Sequence, residues 1–517
     1  MVVLIGLVHL PLPFHDDQAF FTVAAIRLNQ GALLYRDYWD IKQPGIFAFY
    51  LLGGKLFGFN EVGIRGFELL YMTGLAIALI VTLRKYFEYA WSSALVVLMT
   101  IGFYYGVSGL PHTTQDYLTQ VEGVVGLPMF LCLWFASEAA TFQERRWARW
   151  FVSGVMGACV LLLKLIFLPM ICSFWGACFV YLVFREREKV ARQFFRCSFP
   201  VVLGVLAPLL LVCAYFAWRG GLNDLYFTSF VWPVRALGMP LAGPGRFHTG
   251  MEFFIDGFAP LLALGFLGAW WSWRQRVDIV TINLLLWIVV GAAAILIQRR
   301  SWWPYHYMLL FVPLGILGTR GVECLWQQLQ VSRVAEFANQ RRRALMFALI
   351  LLFSPVIYPI FTDTLLLAAY RFAATSKWRR DFQKRYANSQ YPGVLAETAF
   401  LSKPDSLPGP IYVGGSPLFY FLSGRQPAIA LSYGLDDLLP EQWIAFHKQL
   451  TEARPSYLFL YPEFHHWIQT SSPQTLRFID ENYRVLHSSA TGTWYVLKGA
   501  EASTASEGQP AGLRGEA

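Results

Sequence analysis

Two carboxylates stand side by side near the start of the chain, in the run His15-Asp16-Asp17-Gln18-Ala19-Phe20-Phe21. A second run follows: Gly31-Ala32-Leu33-Leu34-Tyr35-Arg36-Asp37-Tyr38-Trp39-Asp40-Ile41-Lys42-Gln43-Pro44-Gly45. The acids come directly after an apolar stretch, Met1 to Pro13. A carboxylate at membrane depth is costly unless it has a partner or a task. It can act as a general base toward a hydroxyl, or hold a divalent cation. Arg36 and Lys42 can pair with a phosphate at headgroup level. The same residues also read as a capped interfacial helix, with Asp16 as N-cap, Asp17 in its first turn and Lys42 reaching toward water. Spacing alone leaves both readings open.

Other groups could join them. Glu122 opens an apolar run and is a possible second acid, or a helix-start acid placed for electrostatic reasons. Lys164 lies 15 residues beyond Arg149, about 22 Å along a helix, so its ammonium reaches a headgroup or simply snorkels. Arg299, Arg300 and His306 flank another apolar run and could hold a phosphate or an acidic sugar. Trp302 and Trp303 could stack on a sugar or belong to an interfacial aromatic belt. Gly414-Gly415-Ser416 follows a strand but lacks the lysine of a phosphate loop, so it reads as a turn. His465-His466 has no ligand partner at metal spacing and reads as surface.

These groups need a frame. Of the 517 residues, 56% are hydrophobic and 15% charged, with mean hydropathy +0.43; soluble domains carry about 25% charged residues. Runs long enough to span a bilayer fall near 67–83, 91–107, 121–137, 151–169, 170–184, 199–217, 257–273, 279–297, 305–319 and 344–362. Met1–Pro13 has neither a basic start nor a small-residue cleavage site. It reads as a first span whose start is clipped or misassigned, giving about eleven. With a cytoplasmic N-terminus the inner loops collect Arg84 and Lys85, then Arg145, Arg146 and Arg149, then Arg185 to Arg196, then Arg274 and Arg276, and finally Arg333 to Arg343. The loop 108–120 has no Lys or Arg. That alternation fits retention of basic residues on the cytoplasmic side. It places 14–66 as a first outer loop and puts the C-terminal part outside as well. The inner stretch 320–343, with Glu323, Gln327 and Gln328, is expected to contain a surface helix.

Domain 1–362 is thus a polytopic α-helical body. Residues 363–500 alternate strands and helices: Ile411–Val413, a helix after Pro417, 441–452, Tyr457–Tyr461, 473–482, and a closing pair 483–488 with 493–498. That pattern is a small α/β domain. The tail 501–517 reads as disordered. All seven cysteines lie in or beside apolar runs, where they are packing residues. The net charge of +9 has no aromatic-interleaved basic patch behind it, so nucleic acid is not a partner.

The pattern Asp-Gln-Ala, then Gly…Leu-Tyr-Arg-Asp-Tyr-Trp-Asp-x-Lys-x-Pro-Gly, resembles the first loop of GT-C superfamily membrane glycosyltransferases related to the protein O-mannosyltransferase and aminoarabinose (lipid A) transferase families. Thr119-Gln120-Val121-Glu122, Gly154 and Gly157 with Lys164, Trp303-Pro304-Tyr305-His306-Tyr307, and Ile411 through Pro417 with Ser423 to Pro427 extend the resemblance in order. It implies a bacterial plasma-membrane enzyme that takes a sugar from a polyprenyl-phosphate donor. The acceptor would be a lipid, a cell-envelope glycan or a protein hydroxyl on the outer face. Transfer would be inverting, with a first-loop Asp as base. Asp17 matches the family acid best and Asp16 stands next to it. Where the family often has Asp-Glu, this chain has Asp-Asp-Gln. Lys42 is the first candidate cation for the leaving phosphate, followed by Lys164, Arg299, Arg300 and His306. No cofactor is implied beyond a divalent metal that paired acids could hold. A polyprenyl-linked polysaccharide polymerase or ligase, and a lipid-linked sugar transporter or flippase, are the alternatives. The former usually relies on a large later outer loop, and 218–256 is modest. The latter shows repeated halves, and no repeat is visible.

Overall fold

The computed structural model describes residues 2–106, 118–186, 189–239, 244–275, 278–298, 302–330, 390–432 and 438–499, with a few isolated positions between 340 and 369. Most of the candidate span 344–362, and all of the tail 501–517, lie outside these residues. The chain forms two compact units, 1–392 and 393–517.

Eight helices among the described residues of the first unit are long and apolar enough to cross a bilayer. They are Glu61–Leu83, Val121–Thr141, Arg146–Leu163, Leu165–Glu186, Val190–Trp218, Gly245–Gln275, Ile279–Ile297 and Pro304–Gln328. The chain is an integral membrane protein. Ser92–Gly106 is a shorter apolar helix with a π-turn at Leu98–Gly102. Ahead of them Met1–Pro13 contributes a helix Val2–His9.

Burial tells centre from rim. The most apolar window of Pro304–Gln328 is 94% buried, so this helix is the axis of the bundle. The corresponding window of Val190–Trp218 is 22% buried and exposes Phe195, Phe199, Leu210 and Leu211, a lipid-facing surface. It crosses Arg146–Leu163 at a glycine pair. A Cβ on Gly154 would stand 2.2 Å from Val201 O, and one on Gly204 would stand 2.1 Å from Phe151 O. Small residues let membrane helices approach this closely.

Two sequence expectations shift. The stretch 14–66 is not an open loop. It holds helices Asp16–Asn29 and Pro44–Phe57, and the next span already begins at Glu61. The span expected at 305–319 runs on past 319, because the axial helix continues as Phe311–Gln330. Glu323 is buried there, paired with Arg320 at 2.9 Å and accepting from Ser92 Oγ and the backbone N–H of Glu88 and Tyr89. Those bonds explain why an acid belongs inside the helix end.

The second unit is a four-stranded sheet in the order β1-β2-β4-β3: β1 Tyr412–Gly414, β2 Tyr457–Leu460, β3 Tyr483–Ser488 and β4 Thr493–Leu497. β1 and β2 are parallel; β4 runs antiparallel to both β2 and β3. Helices Leu418–Ser423, Pro440–Ala453 and Pro473–Asn482 stand where the sequence pattern puts them. A further helix, Pro462–Ser471, was not read from the sequence.

Candidate active site

Helix Asp16–Asn29 starts with its two acids in the first turn, where the N-terminal dipole favours negative charge. The N-cap is His15, not Asp16 as the capped-helix reading had it. The chain then folds back on this helix. Tyr35 takes a left-handed conformation (φ 72°), and its N–H donates to Tyr38 O at 2.8 Å. Tyr38 stacks on Phe20, ring centroids 4.8 Å apart, and donates from its hydroxyl to Phe20 O. The Tyr35 hydroxyl donates to the carbonyl of Lys42 at 2.8 Å. These aromatic contacts bring the end of the loop to the start of the helix. Lys42 Nζ lies 3.8 Å from Asp17 Oδ1, 3.4 Å from Asp40 Oδ2 and over the Phe21 ring.

Asp40 was part of the recognised pattern but had no assigned role. It is buried, and its Oδ1 accepts from the N–H of Ile41. Burial raises its carboxyl above the ordinary range. Lys42 opposes that shift, and the nearby charge of Asp17 adds to it.

The four residues from Lys42 to Gly45 join this loop to the spans. Pro44 begins helix Pro44–Phe57, a position where its missing N–H costs nothing. Gly45 sits against the backbone at the end of Arg146–Leu163; a Cβ there would be 2.6 Å from Leu162 O. Gln43 Oε1 accepts from Leu165 N–H at 3.4 Å.

That contact flanks Lys164. The spans expected at 151–169 and 170–184 actually divide at this residue: Lys164 is the extended C-cap of Arg146–Leu163, and a 3-10 turn Leu165–Phe167 follows. Lys164 therefore stands in a helix break rather than along a continuous helix. Its Nζ lies 2.6 Å from Glu122 Oε1, and His306 Nε2 lies 3.8 Å from the same oxygen. Glu122 and His306 side chains are each 2% exposed. His306 belongs to a 3-10 segment, Pro304–Leu310, at the start of the axial helix. Both Lys42 and Lys164 act electrostatically on its ring.

The structure thus gathers Asp17, Lys42, Glu122, Lys164 and His306 at one end of the bundle, with Asp16 in the same helical turn as Asp17. Arg299 and Arg300 lie outside the described residues. Among the described residues, no three His, Cys, Asp or Glu side chains form a metal-ligand set. Trp303, considered for sugar stacking, is engaged by Arg246, whose guanidinium lies 4.3 Å from its ring. Gly414-Gly415-Ser416 is the end of β1 and a turn.

Sequence reasoning missed Arg65 and Glu68, both almost fully buried in the first long span. Glu68 fell inside the expected span 67–83. An ionisable residue within an apolar run was itself the signal.

No protein-family model matches the chain, and no curated protein matches it by sequence. Solved structures do. ArnT from Cupriavidus metallidurans in the apo state matches with a TM-score of 0.57 at 13% identity, covering 96% of this chain and 95% of that one. The same protein bound to undecaprenyl phosphate matches with a TM-score of 0.58 at 14% identity and the same coverage. The chain has the GT-C fold seen in ArnT. The match runs through both units of the chain, because the covered share leaves only a few per cent outside. The Archaeoglobus fulgidus oligosaccharyltransferase AglB is a more distant likeness, with TM-score 0.48, 13% identity, and coverage of 96% of this chain and 73% of that one.

Proposed function

We propose that this protein transfers a sugar from a polyprenyl-phosphate carrier to an acceptor hydroxyl at the outer face of a bacterial plasma membrane, with Asp17 as general base. The observation that carries the proposal is the pairing of Asp17 with Lys42 at 3.8 Å in a GT-C fold. An alcohol is a weak nucleophile, so its proton must be taken as it attacks. The leaving phosphate gains charge, so a fixed cation beside the base lowers the barrier. At 3.8 Å the Asp17–Lys42 contact is an ion pair without a hydrogen bond. Lys42 donates instead to Asp40 Oδ2 at 3.4 Å; in this reading it exchanges that long bond for the lipid phosphate while the Asp17 carboxylate takes the acceptor proton.

The acceptor oxygen attacks the anomeric carbon from the face opposite the phosphate. The carbon–oxygen bond to the phosphate breaks, and the configuration inverts. Lys42 receives the charge of the lipid phosphate. Lys164 is bound to Glu122 and holds that acid at the edge of the site rather than serving as the first phosphate ligand. In this reading the C-terminal unit is extracytoplasmic. The undecaprenyl phosphate bound by the structurally similar ArnT is the class of lipid the reading calls for. Mass spectrometry of envelope glycans and glycoproteins from a deletion strain tests it: one sugar should be missing from one acceptor, and an unchanged glycan profile would count against transfer.

A further inference from the structure

Two buried charged residues in the first long span touch neither acid, yet each grips the chain that leads to one. Arg65 donates from Nε to Leu12 O at 3.0 Å, and from Nη2 to Pro13 O at 3.2 Å and Gln18 Oε1 at 3.1 Å. It therefore holds the segment that enters helix Asp16–Asn29. Glu68, one helical turn further along, accepts from Thr119 N–H at 2.6 Å and from the Tyr104 hydroxyl. It holds the segment that enters the helix of Glu122. Thr119 is a buried β-branched residue at φ 61°, a conformation that persists only where its surroundings enforce it. Tyr50 adds a hydroxyl donor to Thr119 O at 3.2 Å.

Gln18 closes the circuit. Its Oε1 takes the Arg65 donor and the N–H of His15 at 3.0 Å. Its Nε2 donates across 100 residues of sequence to Leu118 O at 2.7 Å. One buried amide therefore joins the approach to Asp17 with the approach to Glu122. The amide offers an acceptor at one end and a donor at the other, which an ionised carboxylate of the same shape does not.

We propose that Arg65 and Glu68, tied through Gln18, are positioning residues that fix the spacing between the Asp17–Lys42 and Glu122–Lys164 centres. The functional half of this proposal rests on the transferase reading above. The test uses the full-length protein and the variants Gln18→Glu, Gln18→Leu and Arg65→Lys. Gln18→Glu keeps an acceptor for Arg65 and His15 but loses the donor to Leu118 O. Arg65→Lys keeps the charge beside Glu68 but cannot make the three contacts at once.

Three readouts separate the roles: amide hydrogen exchange, retention of undecaprenyl phosphate by native mass spectrometry, and sugar transfer in a complemented deletion strain. In Gln18→Glu, exchange should accelerate at least tenfold in 118–124 while 12–21 stays protected. Lipid retention should stay within about twofold of wild type, and transfer should fall at least tenfold. Arg65→Lys should not restore transfer. A residue needed only for folding would lower retention and transfer together. Wild-type exchange and transfer in Gln18→Glu would overturn the proposal, as would acceleration spread evenly over all spans. If the wild-type protein neither retains the lipid nor transfers sugar, the transferase reading fails instead, and the exchange pattern still decides whether Gln18 ties the two segments.

Discussion

Lys164 Nζ and Glu122 Oε1 are 2.6 Å apart at the junction of three spans. The lysine ends one helix, the acid begins another, and His306 leans on the same carboxylate oxygen from the axial segment. The contact makes Glu122 a fixed wall of the site and accounts for a lysine within an apolar stretch.

Removing one partner of that pair should leave a buried charge uncompensated, which costs about 3–5 kcal/mol. Lys164→Met should therefore lower the unfolding midpoint in detergent. The double variant Lys164→Met/Glu122→Gln should recover most of the loss. Equal destabilisation by the single and double variants would show that the pair is not the cause.

Lys42 sits between two acids and has the reach to take a phosphate from them. Lys42→Met should weaken undecaprenyl phosphate binding by more than tenfold, and the residual binding should lose much of its salt dependence. Titration in nanodiscs at two ionic strengths measures both. Unchanged affinity would remove Lys42 from the phosphate site.

Gly45 and Gly74 make a paired test of helix approach. A methyl at Gly45 meets Leu162 O at 2.6 Å, whereas one at Gly74 meets nothing within 4 Å. Gly45→Ala should cost about 1–3 kcal/mol and reduce transfer by displacing Lys42. Gly74→Ala, inside the helix Glu61–Leu83, should leave transfer unchanged and hold or slightly raise stability. Thermal unfolding and envelope analysis distinguish them.

Asp40 sets a pH dependence whose sign is fixed by its burial. Its folded-state carboxyl lies above the ordinary value of 3.8. Its contribution to stability is therefore full at low pH and declines as pH rises through the raised value. Relative to Asp40→Asn, the wild-type protein should lose stability on going from acid to neutral pH. Denaturation of both proteins across that range checks it. A difference that stays flat would place the Asp40 carboxyl in a watery setting.

Much of this was legible in residue order. The apolar runs gave the spans because a bilayer demands length and uniform hydrophobicity, and 279–297 coincides with the helix Ile279–Ile297. Strand alternation gave the C-terminal sheet, down to the closing pair. The interior of 14–66 was not legible. Its helices are held by Tyr38 on Phe20 and by Gly45 on Leu162, contacts between positions distant along the chain. The helix break at Lys164 was hidden for a related reason, since the apolar run continues through it. The roles of Gln18 and Arg65 escaped because each looks like an ordinary polar residue near a membrane boundary until its partners are known, whereas Glu68 inside an apolar run was a signal left unread.

The central claim is that Asp17 is the base. Asp17→Asn removes one negative charge and no volume, so the protein should insert, unfold and retain undecaprenyl phosphate much as the wild type does. Sugar transfer should fall by at least a hundredfold, within the range that general base catalysis contributes, while Asp16→Asn keeps substantial activity. The decisive measurement is the abundance of the modified acceptor, by mass spectrometry, in a deletion strain expressing each variant at matched membrane levels. Loss with Asp17→Asn alone is the predicted result. Wild-type abundance in the Asp17→Asn strain would contradict the account.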